Sequence, residues 1–286
     1  MQLSSASIAS YLGRTYPRFS RAALQIFGAR FPNLWLFHFL VRECGARVPT
    51  YARLGNGLRV KVFLGDIIGC HIWHSGWYEP HLVNALKPFL KPDVTFFDVG
   101  ANIGQYTLLS APLVQEVHSF EPFAVTYNLL AWNVKHSGFS NIQLNQFGVS
   151  DHPGIATIFE ANVSNTGGAS LRRTPVSEGN QHTIQTVALD EYVFGSNLFK
   201  RLKKVVLKID IEGAELLALE GSRELLKLKP ILVLEALDEL QRGFGRSRDE
   251  LTCFLKSRGY VLLSLTENGP TPYEIHCPNI LALPEG

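Results

Sequence analysis

From Val94 onward, short apolar runs alternate with stretches whose apolar residues recur at spacings of three and four. Runs of the first kind suit strands buried in a sheet, and stretches of the second kind suit helices packed on it. Their alternation predicts β-α units feeding a mainly parallel sheet. The runs of strand length are Val94–Val99, Glu116–Phe120, Ile142–Phe147, Lys204–Ile209, Pro230–Glu235 and Tyr260–Leu265. Helices are predicted between them, over Gln105–Leu113, Ala124–His136, Ala214–Leu228 and Arg248–Arg258, with Leu216, Leu217, Leu219 and Leu226 the clearest periodic set. Asn268, Gly269 and Pro270 form a turn signal. They lead to a last apolar run, Asn279–Leu283, that can pair antiparallel with the sixth strand.

Two regions break the alternation. Residues 1–92 hold helical stretches and a strand-like Leu58–Leu64 but no β-α repeat, which predicts an N-terminal cap on a catalytic domain spanning residues 93–286. Residues 155–190 insert two alternating segments, Ile155–Phe159 and Thr183–Leu189, around the polar Asn162–Gln181. This pattern predicts a hairpin with a long mobile loop, of the kind that closes over active sites.

Composition narrows the function classes. An apolar fraction of 46% against 18% charged residues is that of a folding globular chain. A net charge of +2 argues against a surface that tracks nucleic-acid phosphates. The basic residues that do cluster are Arg14, Arg18, Arg21, Arg30, Arg42 and Arg47, set against Glu43 and flanking the apolar Leu34–Val41. That stretch suits peripheral contact with an anionic membrane surface. It is about half the ~20 residues a spanning helix needs, and no leader pattern precedes it, so a cytoplasmic protein is expected. Cys44, Cys70, Cys253 and Cys277 lie far apart, without the spacing of a zinc site or a disulfide framework, and are expected to be buried thiols.

The strongest chemical signal is the passage from the apolar Val94–Phe97 through Asp98 into a glycine-bearing turn and a helix. Gly100 and Gly104 allow close backbone approach to a ligand, and the helix start offers free N–H groups. Asn102 stands where a dinucleotide fingerprint has its second glycine. Asp98 at the strand end suits a cationic amino group instead, which favours an amino-acid-bearing cofactor. Glu121 ends the second strand about 20 residues after Gly100, where a carboxylate can accept from both hydroxyls of a ribose, and Pro122 fixes the turn behind it.

A second constellation, Lys208-Ile-Asp210-Ile-Glu212-Gly-Ala-Glu215, ends the fourth strand. In open α/β sheets ligands lie beyond the carboxyl ends of the strands near the switch in strand order, which the first and fourth strands normally flank. Asp210 and Glu212 are therefore expected at the reactive end of the cofactor, as candidate general bases. Two residues apart on an extended segment, they would face the same way and act on one substrate hydroxyl or share a divalent metal, although no third metal ligand is identified. The bland alternative is that one of them caps the following helix.

These residues resemble the FkbM family of S-adenosylmethionine-dependent methyltransferases. The resemblance rests on Asp98–Thr107, Phe120-Glu-Pro122, Asn165–Ser170, Leu189–Tyr192 and Lys208–Glu215, with Asp66–Gly69 and Gly76–Pro80 upstream. It implies a Rossmann-like class I methyltransferase fold, a mostly parallel seven-stranded sheet with an antiparallel C-terminal strand. It also implies S-adenosylmethionine as cofactor and transfer to oxygen on a sugar, glycan or polyketide-like small molecule. Tyr78 and Glu79 would border the cofactor, together with Asp98, Gly100, Asn102, Gly104, Glu121, Pro122 and Asp210. Asn165 and His71 are candidates for contact with the acceptor, and His71 and His74, whose imidazoles titrate near neutral pH, are a second possibility for the base. The competing readings are a Rossmann-type oxidoreductase and a cofactor-binding module without turnover.

Overall fold

The computed structural model describes residues 49–161 and 177–285, in two compact units that divide between Tyr78 and Glu79. The N-terminal unit holds the hairpin β1 (Pro49–Arg53) and β2 (Arg59–Phe63), followed by helix α1 (Ile67–Ser75). Asp66 begins α1 by accepting from Gly69 N–H at 3.0 Å, and Gly76 ends it in the left-handed conformation.

The second unit opens with α2 (Pro80–Leu86), where Pro80 takes the first-turn position that needs no N–H donor. It continues through β3 (Val94–Val99), α3 (Gln105–Ser110), β4 (Glu116–Phe120), α4 (Ala124–Lys135), β5 (Ile142–Asn145), β6 (Gly148–Val149), β7 (Gly154–Ala161) and β8 (Ser177–Val187). Then come α5 (Leu189–Gly195), β9 (Lys204–Ile209), α6 (Glu215–Glu220), β10 (Ile231–Glu235), α7 (Asp238–Gly243), α8 (Arg248–Lys256), β11 (Tyr260–Thr266), β12 (Gly269–Pro272) and β13 (Asn279–Pro284).

Eight strands form the main sheet in the order β12-β11-β13-β10-β9-β3-β4-β5. The run β10-β9-β3-β4-β5 is parallel, and β13 lies antiparallel between β10 and β11. This is the α/β Rossmann-like architecture that the resemblance implies. The C-terminal run pairs with the sixth expected strand as the pattern required. The strand order switches at β3, with the earlier strands β4 and β5 on one side and the later β9 and β10 on the other, so the carboxyl ends of these parallel strands form the switch point at which ligands sit. Every residue of β3 is buried, as a central strand covered on both faces should be. Phe97, Val99, Leu207, Ile209, Leu232 and Leu234 from three neighbouring strands supply much of the core.

Several expectations are corrected. Gly269 and Pro270 start the edge strand β12 rather than a bare turn, because Leu265 and Thr266 pair with them across a tight connection. The helix predicted over Ala214–Leu228 stops at Glu220, since Asp190 accepts the N–H groups of Glu224 and Leu225, and Gly221 lets the Ser150 carbonyl oxygen lie 2.2 Å from a would-be Cβ. Cys253 is exposed on α8, not buried, while Cys70 is buried and its thiol is pushed up to about 12 by that burial and by Asp66. The expected hairpin appears as β7 and β8, which form a side sheet with β6 and pack Ile158 and Ile184 on Phe123. Its connecting loop lies outside the described residues, and so does Asn165.

Candidate active site at the carboxyl ends of β3, β4 and β9

The turn after β3 is fixed by backbone bonds to both neighbouring strands. Gly100 and Ala101 N–H donate to Phe120 O at 3.0 and 2.9 Å, and Asp210 N–H donates to Val99 O at 3.0 Å. Gly100 has φ 81°, and a Cβ there would lie 1.9 Å from the Asp210 carbonyl oxygen. Its missing side chain serves the crossing of two chain segments. Gly104, at φ 94°, heads α3 and leaves room for Leu130 of α4.

Asn102 adopts φ 50° and donates its N–H to Glu121 Oε2 at 2.9 Å, so the β3 turn and the end of β4 are tied together. Glu121 Oε1 accepts from Phe123 N–H and the Thr126 hydroxyl at 2.9 and 2.8 Å. Burial raises its carboxyl to about 6 against these bonds. Three of the roughly four acceptor positions of a carboxylate are therefore filled, which leaves Glu121 capacity for one ribose hydroxyl, not two. Pro122 follows, half-buried, before α4.

Asp98 is fully buried and lies in register with Ser119 on one side and Lys208 on the other. Its Oδ2 accepts from the Thr107 hydroxyl at 2.6 Å, and Thr107 and Ser119 oxygens are 2.7 Å apart. Its Oδ1 has no hydrogen-bond partner among the described residues. Burial raises its carboxyl above the ordinary value, with Lys208 and the Thr107 bonds opposing.

Lys208 organises the rest. Its Nζ is 2.9 Å from Asp210 Oδ2 and 4.6 Å from the centroid of the Tyr106 ring. Burial works to lower its ammonium, but Asp210, Asp98 and Glu79 together hold it above its usual value. Glu79, at φ 48° ahead of α2, is raised to about 7 by burial and by Asp210, with Lys208 and a hydrogen bond from Asn279 opposing. Glu212 is raised to about 8 by burial and by its neighbours Asp210 and Glu215.

Asp210 and Glu212 do share one site, though not for the reason expected. The strand ends at Ile209, and Glu212 sits at φ 56° in a turn, so alternation along an extended segment does not apply. Neither caps α6, which has no side-chain cap. Glu215 ties the turn instead, accepting from Ile211 and Gly213 N–H at 3.0 and 3.1 Å and from the Gln241 amide. Glu235, at the end of β10, is the acid that sequence reasoning missed, and burial with the charges of Asp210, Glu212, Glu215 and Glu79 raises it to about 10. Its signal was available, since it ends an apolar strand on the same edge as Asp98, Glu121 and Asp210.

Of the remaining candidates, His71 and Tyr78 belong to the N-terminal unit, where their rings meet edge to face at 5.5 Å. No cluster of three or more His, Cys, Asp or Glu arranged to hold a metal occurs among the described residues. No helix among them is long and apolar enough to cross a membrane.

Residues 98–262, more than half of the chain, match the model of the methyltransferase FkbM domain. The chain belongs to that family. A hexuronic acid methyltransferase, AglP, of Haloferax volcanii is 26% identical over 165 residues, which are 55% of this chain and 62% of that protein. The match thus takes in less than two thirds of this curated relative. Solved structures with likeness include the O-methyltransferase TomG from Streptomyces achromogenes, 12% identical over 72% of this chain and 79% of that one, with a TM-score of 0.41. An rRNA methylase from Streptococcus thermophilus is 14% identical over 70% and 91%, with a TM-score of 0.40. Likeness of this degree adds no argument to the strand order itself.

Proposed function

We propose that this chain is an S-adenosylmethionine-dependent methyltransferase acting on a hydroxyl oxygen of a small molecule. The acceptor class we favour is a sugar or glycan over a polyketide-like compound, because the relative AglP is named for a hexuronic acid. The observation that carries the reading is buried Asp98, which begins the family-matched residues 98–262 and has one oxygen without a donor among the described residues. Glu79, Asp98, Asp210, Glu212 and Glu235 gather at the carboxyl ends of the family-matched strands around the cation of Lys208. Carboxyls raised to about 7, 8 and 10 are in large part protonated at neutral pH, so they serve as hydrogen-bonding groups more than as charges.

The residues present fit that cofactor. Asp98 Oδ1 lacks a donor among the described residues, which an α-ammonium would supply directly or through one water. Glu121 Oε2 retains room for a ribose hydroxyl, and the Asn102 turn would lie against the same ligand. When bound, S-adenosylmethionine supplies a methyl group already activated by its sulfonium. The chain's tasks are to align the acceptor oxygen, exclude water and take up a proton.

Glu212 suits the last task, since a carboxyl at about 8 exchanges a proton near neutral pH. Asp210 is engaged by Lys208 Nζ, and its charge helps raise Glu212. The test is transfer of labelled methyl from S-adenosylmethionine to neutral and acidic saccharides, with alkali treatment separating stable ethers from labile esters. Glu212→Gln should lower kcat on the order of a hundredfold with S-adenosylhomocysteine affinity nearly unchanged. Wild-type turnover by that variant would remove Glu212 from the base role.

A further inference from the structure

The N-terminal unit carries a second constellation, of opposite sign. In the hairpin, Arg53 lies directly opposite Arg59 and Tyr51 directly opposite Lys61. Alternation turns Ala52, Val60 and Val62 inward, with at most 6% exposure, and sets the three cations and Tyr51 on the other face. Like charges opposed across a ladder destabilise it. Neither guanidinium has a carboxylate partner among the described residues. Within residues 49–78 the one carboxylate is Asp66, which is buried and committed to starting α1. Among the described residues the opposition of Arg53 and Arg59 is therefore uncompensated, and an anion between them would relieve it.

Both guanidinium groups are held in place. Arg59 stacks with its Cζ 3.8 Å from the centroid of the Tyr51 ring, and Arg53 Nη1 donates to Gly57 O at 3.1 Å. Each group keeps further N–H donors of its planar fork, the geometry that suits carboxylate and phosphate. The two arginines border a groove of about 450 Å³ that Trp73, His74 and Gly76 close from the end of α1. That volume is within the ~300–1,000 Å³ of small-molecule sites.

The groove is built, not incidental. Gly55 N–H donates to Gly76 O at 3.1 Å, and a Cβ on Gly55 would lie 2.0 Å from Trp77 Nε1, so the hairpin turn and the helix end lock together. Carbonyls at the end of α1 that would repel an anion are engaged by Gly76 N–H and the Ser75 hydroxyl, both at 2.9 Å. Trp73 adds an aromatic surface for the C–H face of a sugar ring.

We infer that this groove binds an anionic saccharide, with its carboxylate or phosphate between Arg53 and Arg59 and its ring against Trp73. The inference goes beyond the methyl-transfer reading and does not depend on it. It is tested by calorimetric titration of the full chain with oligogalacturonate, a hexose 1-phosphate and a neutral malto-oligosaccharide, at low and high salt. The titrations are repeated on Arg53→Gln and Arg59→Gln, with S-adenosylhomocysteine binding and thermal melting measured alongside.

The expected result is binding of an anionic probe but not the neutral one, weaker at high salt. A loss of at least about tenfold is expected in each variant, with S-adenosylhomocysteine binding unchanged. The preferred probe identifies the source of the anionic group as uronate or phosphate. Equal binding of the neutral saccharide, unchanged affinity in both variants, or no binding of either anionic probe at millimolar concentration would overturn the inference. Should a variant fail to fold, the salt dependence and the charged-against-neutral comparison on the native chain decide it. Absence of S-adenosylhomocysteine binding beside intact saccharide binding would count against the methyl-transfer reading alone.

Discussion

Single residues in the candidate site answer to contacts that lie far away in sequence. Gly100 is the plainest case, because its left-handed backbone and the Asp210 carbonyl 1.9 Å from a would-be Cβ impose two separate costs. Gly138 also has positive φ, at 82°, but nothing lies within 4 Å of its would-be Cβ. Gly138→Ala should therefore cost only the conformational penalty, about 1–2 kcal/mol. Gly100→Ala should cost that plus displaced backbone, ~3 kcal/mol or more. Chemical denaturation of the two variants compares them, and equal losses would mean that the β3 turn yields to the added methyl. The sequence reveals the glycine but not its neighbour. Asp98, Glu121 and Asp210 were read from their places at strand ends, and Glu235 ends the apolar β10 in the same way, with the pairing of β10 beside β9 bringing it to the same edge.

Elements were legible in proportion to how much of their stability is local or patterned. The central strands β3, β4 and β9 start and stop where the sequence predicts, because burial on both faces draws in Phe96 and Phe97, Val117 and Phe120, and Val205 to Leu207. The α8 helix was legible from its periodicity, and its start is a capping box in which Ser247 Oγ accepts from Glu250 N–H while Glu250 accepts from Ser247 N–H. Ser247→Ala should cost about 1 kcal/mol, read as a shift in denaturation midpoint. An unchanged midpoint would mean that packing alone holds the first turn. By contrast, the chain from Gly221 to Leu228 leaves the helix because Asp190, from α5, accepts the N–H groups of Glu224 and Leu225 at 2.8 Å each. No local signal carries that. β12 was missed because two prolines and a glycine read as a turn, and edge strands tolerate prolines that inner strands do not.

For the molecule as a whole, the concentrated carboxylates make stability a function of pH. Glu121, Glu79, Glu215, Glu212 and Glu235 are raised from 4.5 to about 6, 7, 7, 8 and 10. A raised carboxyl binds its proton more tightly in the folded state than in the unfolded one. Its contribution is fully present below 4.5 and is lost as pH rises through the folded value. Asp93, Asp151 and Asp238 are lowered and act in the opposite sense, but below their ordinary 3.8 and outside this window. Stability should therefore fall between pH 5 and 9, and Glu212→Gln should flatten the fall by about 1–2 kcal/mol after allowance for its partial exposure. Urea midpoints at three pH values test this, and a wild-type profile that rises toward pH 9 would contradict the charge arrangement.

The central claim is that the turn from Asp98 to Gly104, tied to Glu121 and set beside the Lys208–Asp210 pair, holds a cationic amino-acid-bearing cofactor. Calorimetric titration with S-adenosylmethionine and S-adenosylhomocysteine, with a nicotinamide dinucleotide as control, tests it most directly. The account predicts micromolar binding of the first two and none of the dinucleotide, with strong weakening in Asp98→Ala and Glu121→Ala and less in Asp210→Ala. Binding of the dinucleotide in place of the sulfur compounds would contradict it.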